Sequence, residues 1–153
     1  MGDQSEPMEG VAVAVGVDAD GPLAGALILG ASGTGKSRTA LELIETCPWH
    51  RSALIADDVM LLKIKHGSLI ASAPKAVQGL LEIRGFGPSP VKSLSSVELV
   101  GGFDLDSFAR RLPEPAMRRV LGHNLPIWPF VAGEGAAHRI RTMLRTILAG
   151  QTP

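Results

Sequence analysis

The sequence predicts an α/β protein, a mixed sheet with flanking helices in which a glycine-rich loop joins a strand to a helix. Three observations support this class. Short apolar runs bounded by turn residues recur along the chain, a glycine-rich stretch separates an apolar run from a helical pattern within residues 25–46, and the C-terminal segment carries a helical apolar period. Residues 1–9 hold Asp3, Glu6, Pro7 and Glu9 with no apolar period, and are expected to form a flexible tail ahead of a single domain over residues 10–150. Val11 to Val17 (VAVAVGV) reads as a strand, DADGP as a turn, and Gly25 to Leu29 (GALIL) as a buried strand. From Lys36 to Thr46 the residues Ala40, Leu41, Leu43 and Ile44 fall at helical spacing, and Pro48 ends the segment. Ala53 to Ala56 is a further buried strand that stops at Asp57 and Asp58. Val59 to Lys65 and Ser68 to Ala73 then form a hairpin about His66-Gly67. Pro74 to Gly79 gives a helical turn and Leu80 to Arg84 a strand, while GFGPSPVKS, with two Gly and two Pro, is expected to be a surface loop. Val97 to Val100 is predicted as a strand, Asp104 to Arg111 as a short helix, and Gly122 to Ile127 as irregular or extended. The last helix spans Glu134 to Leu148, with Ile140, Met143, Leu144, Ile147 and Leu148 on one face.

Composition excludes several classes. The 153 residues are 45% hydrophobic and 20% charged, as in ordinary soluble domains, and a chain of this length buries roughly 70% of its unfolded surface. Lys+Arg and Asp+Glu both number 15, which removes the simplest case for a nucleic-acid or anionic-membrane partner. Aromatics are 4% with no Tyr, so a base-stacking platform is not expected. From Ser107 onward seven Arg face two acids, Glu114 and Glu134, a locally basic third that reads as a solvated helix face with Arg for a phosphorylated ligand. Cys47 alone cannot form an internal disulfide, and no run of about 18 apolar residues is present. The acidic start MGDQSEPMEG does not resemble a secretory signal, so a cytoplasmic protein without a membrane partner is expected.

The chemistry concentrates at GASGTGKS. Gly30, Ala31, Ser32, Gly33, Thr34, Gly35, Lys36 and Ser37 match G-x-x-x-x-G-K-S after an apolar strand and at the start of a helix. Glycines let backbone N–H groups turn inward, and the helix N-terminus adds partial positive charge, so the segment suits a polyphosphate. Lys36 would neutralise the β- and γ-phosphates of ATP and Ser37 would offer a hydroxyl to Mg²⁺. Asp57 and Asp58 end a strand 20 residues after Ser37, on the same sheet edge. In phosphoryl transfer one carboxylate can hold Mg²⁺ and another can accept the proton of the attacking hydroxyl. Glu82 and Arg84 alternate in LEIRG, which puts an acid and a cation on one strand face and Leu81 and Ile83 on the other. His50, His66, His123 and His138 show no zinc-ligand spacing with Cys47 or each other, and Cys47 reads as a buried or half-buried thiol at a helix end.

Taken together, GASGTGKS, LIADD and LLEIRGFG resemble the catalytic domain of the bacterial HPr kinase/phosphorylase family, in its short form, from about Gly10 to about Met143. The resemblance implies a P-loop kinase-like fold and a kinase that moves the γ-phosphate of ATP to a serine of the phosphocarrier HPr. In many members the reverse step uses inorganic phosphate. It also implies that Gly30 to Ser37 bind ATP, that Ser37, Glu82 and Asp58 attend Mg²⁺, and that Asp57 is the base with Asp58 in support. Arg84 to Pro90 would form a loop used in both directions, Arg111 in RRL would match a family arginine, and the assembly would be a homo-oligomer, a hexamer. Docking of the carrier is expected on Gly85 to Ser93 and on the last helix through Arg139, Arg141 and Arg145. Two departures stand out. Glu9 occupies the place of a family histidine, and PFVAGEGAA replaces an Arg-bearing loop, so weak or absent phosphorolysis is expected. A nucleotide-binding module with degenerate transfer, or a small-molecule kinase on the same fold, are the alternatives.

Overall fold

Strand β2 (Val11–Val15) lies between β3 (Ala24–Leu29) and β4 (Ala53–Ala56), antiparallel to both, and is buried along its whole length. The computed structural model of the protein describes residues 4–106 and 115–150. Among the described residues nine strands form one mixed sheet, which runs β1 (Ser5–Glu9), β5 (Val59–Lys65), β6 (Ser68–Ser72), β9 (Ser96–Asp104), β3, β2, β4, with β11 (His123–Pro129) on β9 and β10 (Ala116–Val120) on β11. The α/β class with a mixed sheet and helices packed on it holds. Valines alternate with alanines along β2 for a reason visible in the packing. Val11, Val13 and Val15 meet the helices, whereas Ala12 and Ala14 meet the inside of the curled antiparallel half formed by β5 (Val59–Lys65) and β6 (Ser68–Ser72). His66 and Gly67 both have positive φ, 53° and 78°, as a two-residue hairpin turn between β5 and β6 requires.

The helices α1 (Lys36–Glu45) and α2 (Ala136–Leu148) pack on the valine face and on each other. No helix of the described residues is long and apolar enough to cross a membrane. Buried positions of α2 include Ala137, Ile140, Arg141 and Leu144, so the i, i+3, i+4, i+7 arc runs through Arg141, which is only 3% exposed. Its guanidinium donates to the Leu43 carbonyl at 3.0 Å, that of Arg145 donates to the Val17 carbonyl at 2.9 Å, and that of Arg139 lies 4.6 Å from the Phe130 ring centroid. The expected docking face is therefore corrected for Arg141, which is buried, whereas Arg139 and Arg145 keep exposed side chains. The three heads tie α2 to α1, to the end of the first core segment and to Phe130. Cys47 is buried just past α1.

Four further differences from the sequence reading have physical causes. The expected tail contains a strand, β1 (Ser5–Glu9), paired antiparallel with β5; Met8 points into the core and Pro7 is tolerated because β1 is the sheet edge. The proline-rich loop contains β8 (Gly87–Pro90), paired with β7 (Leu80–Ile83) as a separate ribbon. Val91 N–H donates to the Gly79 carbonyl at 3.0 Å, so alternate residues face β7 and the missing N–H groups of Pro88 and Pro90 fall on the outer side. Residues 123–127 belong to a longer strand, β11 (His123–Pro129), joined by a tight turn to β10 (Ala116–Val120). β9 (Ser96–Asp104) outruns its expected length and takes in Asp104, the expected start of a helix, while the rest of that helix from 107 to 111 lies outside the described residues.

β9 can run this far because it contains Gly101 and Gly102 and faces Gly25. A Cβ on Gly25 would stand 2.2 Å from the Glu98 carbonyl oxygen, and one on Gly102 would stand 2.5 Å from Ile127 Cδ1. β9 thereby pairs in parallel with both β3 and β11 and brings its C-terminal end beside the glycine loop. Gly25→Ala should lower stability by on the order of 3 kcal/mol, because the obstacle is backbone and cannot rotate away. An unfolding midpoint in urea within error of the wild type would contradict this packing.

Candidate active site

The loop after β3 is shaped by glycines that do what other residues cannot. Gly30, Gly33 and Gly35 have φ of 148°, 88° and 101°. Gly30 also has no room for a side chain, since a Cβ would lie 2.6 Å from Thr34 Oγ1. Thr34 closes the turn by donating its N–H and its hydroxyl to the Ala31 carbonyl at 3.2 and 2.7 Å. Gly35 caps α1 without a side-chain hydrogen bond and the first turn of α1 carries no acid of its own, so the positive end of the helix faces the loop. Lys36 Nζ donates to the carbonyls of Gly30 and Ala31 at 2.6 and 3.1 Å, and its charge has no ion-pair partner among the described residues. A glycine-shaped loop, a helix N-terminus and a cation thus lie together, the elements of a polyphosphate site.

The acids enter from β4, on the flank that α1 shares with β7. Ser37 Oγ donates to Asp57 Oδ1 at 3.1 Å, and the Glu82 backbone N–H donates to Asp57 Oδ2 at 2.7 Å. Half-buried Asp57 therefore spans the loop serine and the LEIRG strand with both oxygens engaged. Asp58 behaves differently. Its φ is 73°, Val59 N–H donates across it to the Asp57 carbonyl at 2.9 Å, and Gly10 N–H donates to its own carbonyl at 2.8 Å. This is a three-residue turn in a sparsely populated conformation, held by neighbours on both sides. The carboxylate it presents is exposed and makes no hydrogen bond or ion pair among the described residues.

Of the residues singled out in the sequence, Lys36, Ser37, Asp57 and Glu82 are brought together, with Asp58 adjacent. Glu82 joins through its backbone, and its side chain, like that of Arg84, is exposed. Arg111 lies outside the described residues. Among the described residues no three His, Cys, Asp or Glu side chains gather as a metal cage. The Ser37 hydroxyl beside one carboxylate nevertheless fits Mg²⁺, which is usually held by one or two protein oxygens and keeps waters and phosphate oxygens as its other ligands. Glu9 stands opposite Val59 in the β1–β5 register, one residue from Asp58, and adds negative charge to this edge.

Sequence reasoning missed Asp106. Its Oδ2 accepts the Ala31 N–H at 2.8 Å and its own N–H donates to Asp104 Oδ1 at 3.0 Å, while Leu105 N–H donates to the Leu29 carbonyl at 2.9 Å. The end of β9 is thereby stitched to the start of the loop. DLD carries no motif, and its only signal is a place just after a strand that parallel pairing brings beside β3.

A family model of the HPr Serine kinase C-terminal domain matches residues 8–100, which takes in the loop, both aspartates and LEIRG. The HPr kinase/phosphorylase of Clostridium tetani is 49% identical over 76 residues, covering 50% of this chain and 24% of that protein. That of Brevibacillus brevis is 42% identical over 91 residues, covering 53% of this chain and 28% of that protein. The chain spans about a quarter of the length of these curated relatives. In fold it is similar to the Hpr(Ser) kinase/phosphatase structure from Coxiella burnetii, with a TM-score of 0.79 at 23% identity over 95% of this chain and 97% of that one. With its loop, acid pair and LEIRG strand all inside the matched segment, the chain belongs to the HPr Serine kinase C-terminal domain family.

Proposed function

We propose that the chain is an ATP- and Mg²⁺-dependent protein-serine kinase that transfers the γ-phosphate of ATP to a serine of an HPr-type phosphocarrier, with weak or absent phosphorolysis. The observation that carries the reading is the Asp57 bridge between Ser37 Oγ and the Glu82 N–H, because it fixes three motif segments in one frame. Gly30 to Ser37 hold the phosphates, with Lys36 exchanging its loop carbonyls for phosphate oxygens. Ser37 and Asp57 hold Mg²⁺, and Glu82, tied to Asp57 through its backbone N–H, is a further ligand. The ion supplies neutralisation of phosphate charge. Family resemblance supports a cytoplasmic protein that assembles with copies of itself as a hexamer.

The two aspartates exchange the roles read from the sequence. Asp57 has both oxygens committed, so it positions, while Asp58 presents a carboxylate with no partner among the described residues and serves as the base that takes the proton of the acceptor serine hydroxyl. Arg84 follows β7 on the exposed side and is available to the acceptor or the transferring phosphate. Glu9 and the absence of Arg from Pro129 to Ala137 both lower positive charge where inorganic phosphate would enter as a second anion. Glu9 beside Asp58 also favours a second reading, a nucleotide-binding module with degenerate transfer.

The test mixes the protein with Mg-ATP and an HPr-type carrier and locates phosphate by mass spectrometry. Phosphoserine on the carrier is expected, reduced roughly 10²- to 10⁴-fold by Asp58→Asn with ATP affinity retained. Asp57→Asn should instead raise the Mg²⁺ concentration needed for half-maximal rate. ATP binding without transfer would favour the module. For the reverse direction, phosphoserine-HPr with excess phosphate and Mg²⁺ should release pyrophosphate far more slowly than the kinase consumes ATP; equal rates would refute the charge argument from Glu9.

A further inference from the structure

Arg141 is a buried cation without an acid beside it. Its guanidinium donates to the Leu43 carbonyl at 3.0 Å, its Nε is buried with no hydrogen-bond partner, and among the described residues no carboxylate pairs with it. Taking such a charge out of water is costly unless a counter-charge stands nearby. The packed elements bring none from an acid. Arg145 of α2 is a second cation, His50 is exposed, and the Arg51 guanidinium is turned away to the Asp18 and Gly21 carbonyls, 3.6 Å from the Asp18 carboxylate. Cys47 is the remaining group. It lies one turn beyond Leu43, is 2% exposed, and its Sγ accepts the Arg51 N–H at 3.4 Å. The N–H groups of Trp49 and Ser52 and the Ser52 hydroxyl also reach the sulfur. That hydroxyl is free to donate, because its oxygen already accepts the Gly16 N–H at 2.9 Å. The acceptor facing the sulfur, the Gly16 carbonyl, lies at 4.0 Å, the far limit for a thiol donor. A Cβ on Gly16 would stand 3.4 Å from Sγ, and Arg145 donates to the Val17 carbonyl at 2.9 Å, so the sulfur and both α2 arginines gather at the Gly16–Val17 segment.

We infer that Cys47 is a buried thiolate and the counter-ion of Arg141, so that a thiolate–guanidinium pair clasps the C-terminal end of α1 to α2. A sulfur ringed by donors and lacking a close acceptor is the environment of the anion, not of the thiol. Burial alone pushes the Cys47 thiol up, but the Ser52 hydroxyl and the N–H groups of Arg51, Trp49 and Ser52 outweigh it and bring the thiol down to about 7. Burial presses Arg141 down, the Cys47 thiolate raises it and Arg145 lowers it. A guanidinium keeps its proton across the physiological range, so Cys47 is the partner that titrates. The folded thiol therefore ionises below the unfolded one, which titrates at about 8.5. Between the two values the unfolded chain holds more protons, so stability rises with pH, and the clasp is lost as pH falls through about 7. Lys36 and Ser37 stand at the other end of the same helix, so the pair holds from behind the element that presents the phosphate loop.

The chain has one Cys and no Tyr, so far-ultraviolet thiolate absorbance reports Cys47 with no tyrosinate signal beneath it. In the folded protein that absorbance should rise with a midpoint of about 7 and, in urea, at about 8.5. Arg141→Gln should move the folded midpoint upward, whereas Arg141→Lys, which keeps the charge, should hold it near the wild-type position. The urea unfolding midpoint supplies a reading that needs no change at Arg141. From about pH 6 to about pH 9 the wild type should gain stability relative to Cys47→Ser, a near-isosteric variant that lacks the titrating group. A folded midpoint equal to that in urea, parallel pH profiles for the wild type and Cys47→Ser, or an unmoved midpoint in folded Arg141→Gln would each overturn the pair. Should Arg141→Gln not fold, the wild-type titration and the Cys47→Ser comparison decide the matter by the same criteria.

Discussion

One carboxylate organises the candidate active site. Asp57 receives the Ser37 hydroxyl on one oxygen and the Glu82 backbone N–H on the other, so the phosphate loop, the strand end that carries the acid pair and the LEIRG ribbon share a single fixed point. β7 belongs to a two-stranded ribbon outside the main sheet, which makes this tether more than local. Without it, the ribbon would be held to β4 mainly by Leu81 in the core and by the hydrogen bonds of Leu54 with Lys92 and Leu94. A charge-assisted bond from a backbone N–H is about twice as strong as a neutral one, and here it joins two elements that sequence separates by 25 residues.

The sheet supplies the other half of the geometry. Glycines at 25 and 102 let β3, β9 and β11 approach closely, and the parallel pairing of β3 with β9 brings Asp104, Leu105 and Asp106 to the start of the loop. The loop is thus gripped at both ends, at Ala31 by Asp106 and at Ser37 by Asp57, while its middle stays open. Such gripping serves phosphoryl transfer, where the protein contributes position and electrostatics more than covalent chemistry. Charge is placed accordingly. Lys36 and the bare N-terminus of α1 face the loop, and the strained turn at Asp58 turns one carboxylate outward.

Much of this was legible in the chain. The loop, its flanking strand and helix, the acid pair and the Glu82–Arg84 alternation are local signals, and local signals survive folding when they coincide with the hydrophobic period. Long-range consequences were not legible. Nothing local distinguishes Asp57 from Asp58; which oxygen is committed depends on a ribbon 25 residues away. Arg141 looked like a surface cation, although the spacing of Ala137, Ile140 and Leu144 already placed it on the buried arc. Pro88 and Pro90 argued against a strand, but their two-residue spacing puts both on the edge that needs no donor. β1 was hidden by its acids, because an edge strand with one buried side chain, Met8, carries almost no apolar pattern.

The most direct test of the account is a double-mutant cycle on Ser37→Ala and Asp57→Asn, read as the single-turnover rate of phosphate transfer across a Mg²⁺ titration. If Asp57 acts through Ser37 and the ribbon, the two losses should be strongly non-additive, with a coupling of about 1 kcal/mol or more. Additive losses would show that the two side chains act independently, and the bridge at the centre of the site would then have no catalytic role.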